Sequence, residues 1–403
     1  MKHLLIQNSG SSSLKFSIFG LAGDGLRALV SGNLSGIGTQ SGHFSIKGNN
    51  DFENVDEPVN LPDHHFAVAR LMEWLRSNSH TTIDAVGHRV VHGGREFVTP
   101  QQIDDRLVEE LRQLSRFAPL HLPPAIATME SSRKEFSDVP HVACFDTSFH
   151  RTMPERARML PLTKELFFED GVEKFGFHGI SYESIMDQLS AKTDLQINER
   201  KVIIAHLGNG CSMAAVQNGQ SIDTTMGFSP TGGLVMGTRS GDIDPGLIAY
   251  FVREKNMSAI QFVEFVNRES GLLGLSGISS DMEELLLQED NSEDARRALE
   301  IYCYHARKHI GALAAALGGL DLLVFTGGIG EHAAIIRERI CADLEFIGVS
   351  VDKGLNEKQD FVISSAESRV QILVVKTNEE LMIARHCITL LNLKDSDAVP
   401  ARG

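Results

Sequence analysis

Two arginines sit in glycine-flanked polar strings. Gly87-His88-Arg89-Val90-Val91-His92-Gly93-Gly94 carries one. The run from Gly232-Gly233 through Gly237-Thr238-Arg239-Ser240-Gly241-Asp242 to Asp244-Pro245 carries the other. A guanidinium stays charged and offers paired N–H donors, so two of them beside closely approaching backbone suit an oxyanion substrate. The competing reading is that either arginine pairs with a nearby carboxylate, as Asp242 could for Arg239. Two carboxylates end apolar runs. Asp146 closes Val142–Phe145 and could orient a histidine or arginine, hold a metal through water, or act as a base. Glu379 follows Ile372–Lys376 and suits a Mg²⁺ site, while its neighbour Glu380 reads as a surface carboxylate. Of 16 histidines, His92, His121, His178 and His206 lie in polar or glycine-flanked contexts. Their spacing lacks the pattern of a zinc site. Donors to a transferring phosphoryl group fit better, with a satisfied core histidine as the alternative for each.

Hairpins must position these groups. The strand Leu4–Ile6 enters a turn from Asn8 to Ser13, and a second strand follows through Leu14, Phe16 and Ile18. The turn's backbone, its hydroxyls and Lys15 can approach a phosphate, and Asn8 offers a neutral oxygen to Mg²⁺ or its waters. It is not a Walker A loop. The same pattern returns in Ile204-Ala-His206-Leu-Gly-Asn209-Gly210-Cys-Ser212 through Val216, continued by the hairpin signal Asn218-Gly219. Two related domains facing a cleft are expected, each with a phosphate-sized turn. Buried strands are expected at Ile83–Val86, Val142–Phe145, Leu322–Thr326 and Ile372–Lys376. A helix is expected over Ala295–Leu317, stopped by Gly318-Gly319. Strands alternating with helices argue for an α/β fold with ligands at the carboxyl ends of strands. Thr326-Gly-Gly-Ile-Gly-Glu-His332 has the form of a nucleotide-cradling loop, which ordinary strand-to-helix turns share. Ser41–Asn60 reads as a loop or edge hairpin, and Asp395–Gly403 as a frayed tail.

Composition narrows the partners. The chain has 403 residues, which favours two domains, and its net charge is −15 with no basic stripe, which argues against nucleic acid. Any phosphate site must then be made attractive locally. Five cysteines without a Cys-x-x-Cys pair read as reduced thiols of a cytoplasmic protein. The apolar region Ile310–Phe325 is broken by Gly318, Gly319 and Asp321, so no membrane span is expected.

Taken in order, the strings resemble the acetate kinase family of the actin/Hsp70/sugar-kinase superfamily. They are Asn8-Ser-Gly-Ser-Ser-Ser-Leu-Lys-Phe16, Gly87–Gly94, Ala118-Pro-Leu-His121, Phe145–His150, Phe175-Gly-Phe-His-Gly179, His206–Gly210, Met236–Pro245, Gly271–Asp281, Phe325–Glu331 and Thr377–Leu381. The resemblance implies two duplicated, ribonuclease H-like α/β domains flanking a cleft. Residues 1–148 plus 384–403 would hold the first hairpin and part of the acyl site. Residues 149–383 would hold the second hairpin, the nucleotide site and a homodimer interface. It implies reversible, direct phosphoryl transfer between ATP and acetate, giving ADP and acetyl phosphate, with Mg²⁺ or alternatively Mn²⁺.

Roles carry over by motif position. Arg89 and Arg239 would hold the carboxylate and the moving phosphoryl group. His178 would stabilise the transition state with Asp146 nearby, and Asn8 and Glu379 would place the metal. Ser11, Ser13 and Lys15 would line the first hairpin, and His206, Asn209 and Gly210 the second. Asp281 with Gly328, Ile329 and Gly330 would bind the adenosine end. Val91, Leu120, His121, Phe177 and Pro230 would bind the acyl substrate. The chain departs from the family pattern at Leu122, Ile180, Tyr182, Arg95, Thr231-Gly232, Glu283 and His332-Ala333. These leave the chemistry set intact and bear on supporting contacts and nucleotide preference. A propionate or butyrate kinase is the alternative within the class, with Val91 favouring acetate because a smaller residue would open the pocket. A regulator that kept the fold and lost turnover is the alternative outside it.

Overall fold

Alternation of apolar and polar residues builds two sheets. The structure, a computed structural model, describes residues 1–394 except 11, 24, 49–51, 53, 79–81 and 193–195. Ser11 and the tail 395–403 therefore lie outside the described residues. The chain divides into two units, Met1–Ser148 with the chain from Asn378 onward, and Phe149–Thr377.

In the first unit, β1 (Lys2–Ser9), β2 (Ser13–Ala22), β3 (Gly25–Ser35), β4 (Gly42–Gly48) and β5 (Val55–Val59) form an antiparallel meander. The strands β6 (Ala85–Val90), β7 (Gln101–Gln102) and β8 (His141–Phe145) extend it, giving the order β5-β4-β3-β2-β1-β6-β8-β7. β6 runs parallel to β1, and β8 parallel to β6. Leu5, Leu14, Phe16 and Ile18 face one core together with Ala67, Val68, Leu71 and Trp74 of the helix His64–Ser77. That helix is started by the Asp63 side chain, which accepts from Phe66 N. Ile6 points to the opposite face, because strand side chains alternate. There the helix Glu379–Leu391 lies so close that a β-carbon on Gly87 would fall 2.7 Å from Ile383 Cγ2 and 2.8 Å from Cys387 Sγ. Asn8, Lys15 and Arg89 share this second face, being cross-strand neighbours in register.

The second unit repeats the plan. β9 (Lys201–Leu207), β10 (Cys211–Gln217) and β11 (Gln220–Thr224) form a meander; β12 (Leu322–Thr326) runs parallel to β9 and β13 (Gln371–Val374) parallel to β12. The order is β11-β10-β9-β12-β13. In both units the first strand of the meander is central and receives two parallel strands on its free side. The expected duplication is thus visible in topology. Tyr182, Ile185 and Leu189 of the helix Gly179–Ser190 pack with Val202, Ile204, Ala214 and Val324. The helix Glu293–Leu317, capped by Ser292 and ended by Gly318 at φ 68°, packs against β9, β10 and β11.

Several boundaries differ from the sequence reading. β6 runs through Gly87-His88-Arg89 instead of ending there, since Gly87 answers a helix above the sheet and not a turn. Asn8 belongs to β1, so the first turn is shorter than expected. Ser41–Asn60 does contain an edge hairpin, β4 with β5. All five cysteines are buried, and burial pushes the thiols of Cys303, Cys341 and Cys387 up to about 12. No helix among the described residues is long and apolar enough to cross a membrane.

Buried histidines make folding pH-dependent. His150 lies between the Ser221 hydroxyl and the Phe177 carbonyl, each 3.0 Å away, and burial pushes it down to about 4. His141 is likewise pushed down to about 4, and its stacked partner His88, 3.0 Å away, well below its ordinary value. The unfolded chain binds more protons than the native one between about pH 6.5 and 4, so stability falls as pH drops through that window. The urea midpoint is expected to fall between pH 7 and 4.5, and the slope to flatten in His150→Asn. Each histidine contributes up to ~1.4 kcal/mol per pH unit. An equal slope in that variant would remove His150 from the account.

Candidate active site

Parallel strands bring the first group together. Arg89, near the end of β6, stands beside Asn8 of β1, and its Nη1 donates to Asn8 Oδ1 at 3.0 Å. Asp146 follows β8 directly. Its carboxylate accepts from Arg89 Nε at 3.1 Å and from Nη2 at 2.5 Å, a two-point clamp. Glu379 opens the helix Glu379–Leu391, whose first turn favours negative charge, and its Oε2 lies 3.6 Å from Arg89 Nε and 3.5 Å from Asn8 Nδ2. Burial works against the charge on Arg89, but Asp146 and then Glu379 outweigh it, and the guanidinium is held above its ordinary value. The arginine–carboxylate alternative thus describes Arg89. The pairing fixes its orientation, while its side chain keeps 17% exposure.

Other first-unit residues have varied settings. Ser13 opens β2, and its carbonyl accepts from Gly10 N at 2.8 Å, closing the turn. Lys15 is exposed and lines a cavity of about 250 Å³ with Ser17, Asn33, Lys47 and Glu380. Glu380 is therefore half-buried and not the surface carboxylate expected from sequence. Burial, then the neighbouring Glu379, push its carboxyl up. Val91 is buried, and Leu120 and His121 are half-buried just before the helix Leu122–Glu135. Leu122 is fully buried in the core with Val90, Met129 and Phe145, which explains an apolar residue there. His92 takes the Gly94 N–H on Nδ1 at 2.9 Å and stacks on Phe117, which ties the turn.

The second unit gathers the remaining polar groups. His178 precedes the helix Gly179–Ser190 in a left-handed conformation, φ 59°, which is uncommon outside glycine. Its ring stacks on that of His206, the centroids 4.3 Å apart. His178 Nδ1 lies 2.8 Å from Ser212 Oγ, and His206 Nδ1 lies 2.8 Å from Ser181 Oγ. Gly210 sits in the turn between β9 and β10; a β-carbon there would lie 3.4 Å from His178 Nε2 and 3.7 Å from Arg239 Nη1. Arg239 Nη1 donates to the carbonyl of buried Pro230 at 3.0 Å. Asp242 accepts the Gly233 N–H at 2.7 Å, so its carboxylate serves the loop. The loop is tied further by Leu272 N to Met236 O and Leu273 N to Gly237 O, both 2.9 Å. Gly271, at φ 61°, admits no side chain, because a β-carbon would fall 2.2 Å from Met236 O. Phe177 is buried, and its carbonyl is held by His150.

A cavity of about 670 Å³ opens beside this group, lined by Asn209, Asp281, Glu283, Gly328, Ile329 and His332 among others. Its volume suits a nucleotide. Asp281 also caps the helix Met282–Gln288 by accepting from Glu284 N at 3.0 Å. Gly330 contributes differently: its carbonyl accepts from the fully buried Arg337. Sequence reasoning missed this support. Arg337 also bonds Glu331 O and Asn356, while buried Glu331 accepts from Gly327 N at 3.0 Å and Thr377 N at 3.1 Å, joining the ends of β12 and of the segment after β13. It also missed Ser181 and Ser212. Their positions within a few residues of histidine motifs were the available signal.

Comparison with known proteins agrees. The model of the acetokinase family matches residues 3–385. An acetate kinase of Coprothermobacter proteolyticus is 42% identical over 396 residues, 95% of this chain and 97% of that protein. An acetate kinase of a Geobacillus species is 41% identical, covering 98% of this chain and 100% of the relative. Among solved structures, Porphyromonas gingivalis acetate kinase superposes with a TM-score of 0.87 at 35% identity, covering 97% of this chain and all of that one. A propionate kinase from Francisella tularensis gives 0.90 at 37% identity, covering 96% and 99%. With the family model spanning nearly the whole sequence and relatives above 40% identity over nearly their full lengths, the chain belongs to the acetokinase family.

Proposed function

We propose that the chain is an acetate kinase, transferring the γ-phosphoryl group of ATP to acetate and the reverse. The observation that carries this reading is Arg89, oriented at a strand end by Asp146 and Glu379, a fixed guanidinium of the kind a small carboxylate or phosphoryl group requires. Acetate is already a nucleophile at neutral pH, so the residues need only position the reactants and neutralise phosphoryl oxygens. Arg89 and Arg239 would supply that charge, and His178 a hydrogen bond over Gly210. Ser13, Lys15, His206 and Asn209 would contact phosphates. Asp281 and the Gly328–Ile329 turn would hold the adenosine end, with Gly330 kept in place by Arg337. Val91, Leu120, His121, Phe177 and Pro230 would enclose the acyl group.

The residues fit a Mg²⁺ ion. Such ions in kinases take one or two carboxylates and complete their shell with waters and phosphates. Glu379 at the start of its helix and Asn8 near the end of β1, 3.5 Å apart, would hold it and its waters. When bound, the ion neutralises charge on the phosphates. A homodimer is also proposed. Its support is the helix Gly246–Glu254, which has no buried residue and exposes Ile248, Tyr250 and Val252 beside exposed Ile260. A cytoplasmic setting accords with five buried thiols.

The test is a substrate panel. Acyl phosphate trapped as the hydroxamate is expected with Mg-ATP and acetate, with kcat/KM for acetate above that for propionate and butyrate. One methylene is worth only about 1–3 kcal/mol, so measurable propionate turnover is expected as well. A higher kcat/KM for propionate would make this a propionate kinase, the reading that the Francisella neighbour favours. No product with any acid would favour a nucleotide-binding regulator.

A further inference from the structure

His178 is held by two buried hydroxyls in series. Ser212 Oγ lies 2.8 Å from His178 Nδ1, and the Tyr182 phenol lies 2.5 Å from the same Ser212 oxygen. Tyr182 and Ser212 are both fully buried. Ser212 Oγ is fully buried with His178 and Tyr182 as its partners among the described residues, so its single proton goes to one of them and the three groups have two possible orders. The imidazole could donate to Ser212, which would donate to the phenol. Alternatively, the phenol donates to Ser212 and Ser212 donates to the imidazole. The phenol is by far the more acidic hydroxyl, and an imidazole nitrogen is a better acceptor than a phenol oxygen. The second order therefore places each proton between the stronger acid and the stronger base. Nδ1 is then the accepting nitrogen, and the proton of neutral His178 lies on Nε2.

Nε2 is the nitrogen that faces the turn. It and Arg239 Nη1 border the same space over Gly210, 3.4 Å and 3.7 Å from the point where a β-carbon would stand. An Nε2–H beside that guanidinium gives two donors converging where an oxyanion can sit. The other tautomer would turn a bare lone pair toward it. His206 is met in the same way at Nδ1, by Ser181, whose oxygen lies 2.8 Å from Thr377 Oγ1.

We infer that Tyr182 and Ser212 are positioning residues that hold neutral His178 as its Nε2–H tautomer, so that it donates to the transferring phosphoryl group over Gly210. The inference rests on the proposed kinase activity for its use, but not for the tautomer itself. No proton changes hands: the hydrogen remains on Nε2 while phosphorus moves from one oxygen to another.

The test uses the full chain labelled with ¹⁵N-histidine. Two-bond proton–nitrogen spectra report which ring nitrogen carries hydrogen, and His178 is assigned by the signals lost in His178→Gln. The unaltered chain is expected to show hydrogen on Nε2 and none on Nδ1. Tyr182→Phe fills nearly the same space but leaves the Ser212 proton without direction. His178 is then expected to populate both tautomers, with kcat down about tenfold and the KM for ATP within about twofold. Hydrogen on Nδ1 in the unaltered chain would overturn the inference, as would a Tyr182→Phe variant with an unmixed tautomer and full kcat. If the unaltered chain forms no acyl phosphate, the proposed function fails while the spectrum still decides the tautomer.

Discussion

Arg239→Leu is expected to lower kcat for acyl phosphate formation by about 10³-fold or more, with ATP still bound. The expectation follows from where the guanidinium stands. Its loop is tied to Leu272 and Leu273 and cannot easily collapse, and its Nη1 borders the space over Gly210 beside His178 Nε2. Charge spread over the phosphoryl oxygens in the transition state is what such a group stabilises, and an arginine in this role is typically worth 10³–10⁵ in rate. Leucine keeps much of the side-chain volume and none of the charge. The cavity proposed for the nucleotide is lined by other residues, Asp281, Gly328 and Ile329 among them, so ATP-induced thermal protection should persist. Hydroxamate trapping measures the first quantity and a melting curve with ATP the second. Near-normal turnover would remove Arg239 from the chemistry. Loss of ATP protection together with turnover would reassign it to nucleotide binding.

Asp146→Asn is expected to damage both stability and catalysis. Asp146 is 1% exposed and accepts two hydrogen bonds from Arg89. The amide replaces an anionic acceptor with a group that points N–H toward a cation. Removing one partner of a buried pair ordinarily costs 3–5 kcal/mol. Arg89 keeps partial exposure and Glu379 at 3.6 Å, so a loss of roughly 3 kcal/mol in urea unfolding is expected, at the lower end of that range. The guanidinium also loses its orientation, and kcat should fall by at least about 10²-fold. A double variant with Arg89→Gln should recover stability without recovering turnover. Unchanged unfolding in Asp146→Asn would mean that the clamp contributes nothing to the fold.

The fold was legible where local signals and burial agreed. The Asn218-Gly219 turn, the runs at β9, β10 and β12, and the long helix ending at Gly318 each depend on short-range pattern. The positions of Arg89 near the end of β6 and Asp146 just after β8 were legible for the same reason. Other features depend on partners distant in sequence. Gly87 resembled a turn glycine, and only the helix carrying Ile383 and Cys387 explains it. Glu380 resembled a surface carboxylate until Lys15, Asn33 and Lys47 are seen to border the same cavity. Asp242 stands close to Arg239 in sequence, and in the fold its carboxylate accepts from Gly233 N. The roles of Glu331 and Arg337 require knowing that β12 and β13 are neighbours, which no local window contains.

One helix also sets a timetable for synthesis. Glu379–Leu391 covers the Ile6–Gly87 face of the first unit, yet its codons come after all of the second unit's, Phe149–Thr377. At typical rates of about 5–20 residues per second, the ribosome needs roughly ten to fifty seconds to cross that interval. For most of it the N-terminal sheet has emerged but lacks the lid for one of its faces, a condition that invites chaperone capture. The second unit contains all of its own strands and helices and can close as soon as it clears the exit tunnel. The nascent chain is thus built to finish its middle before its beginning.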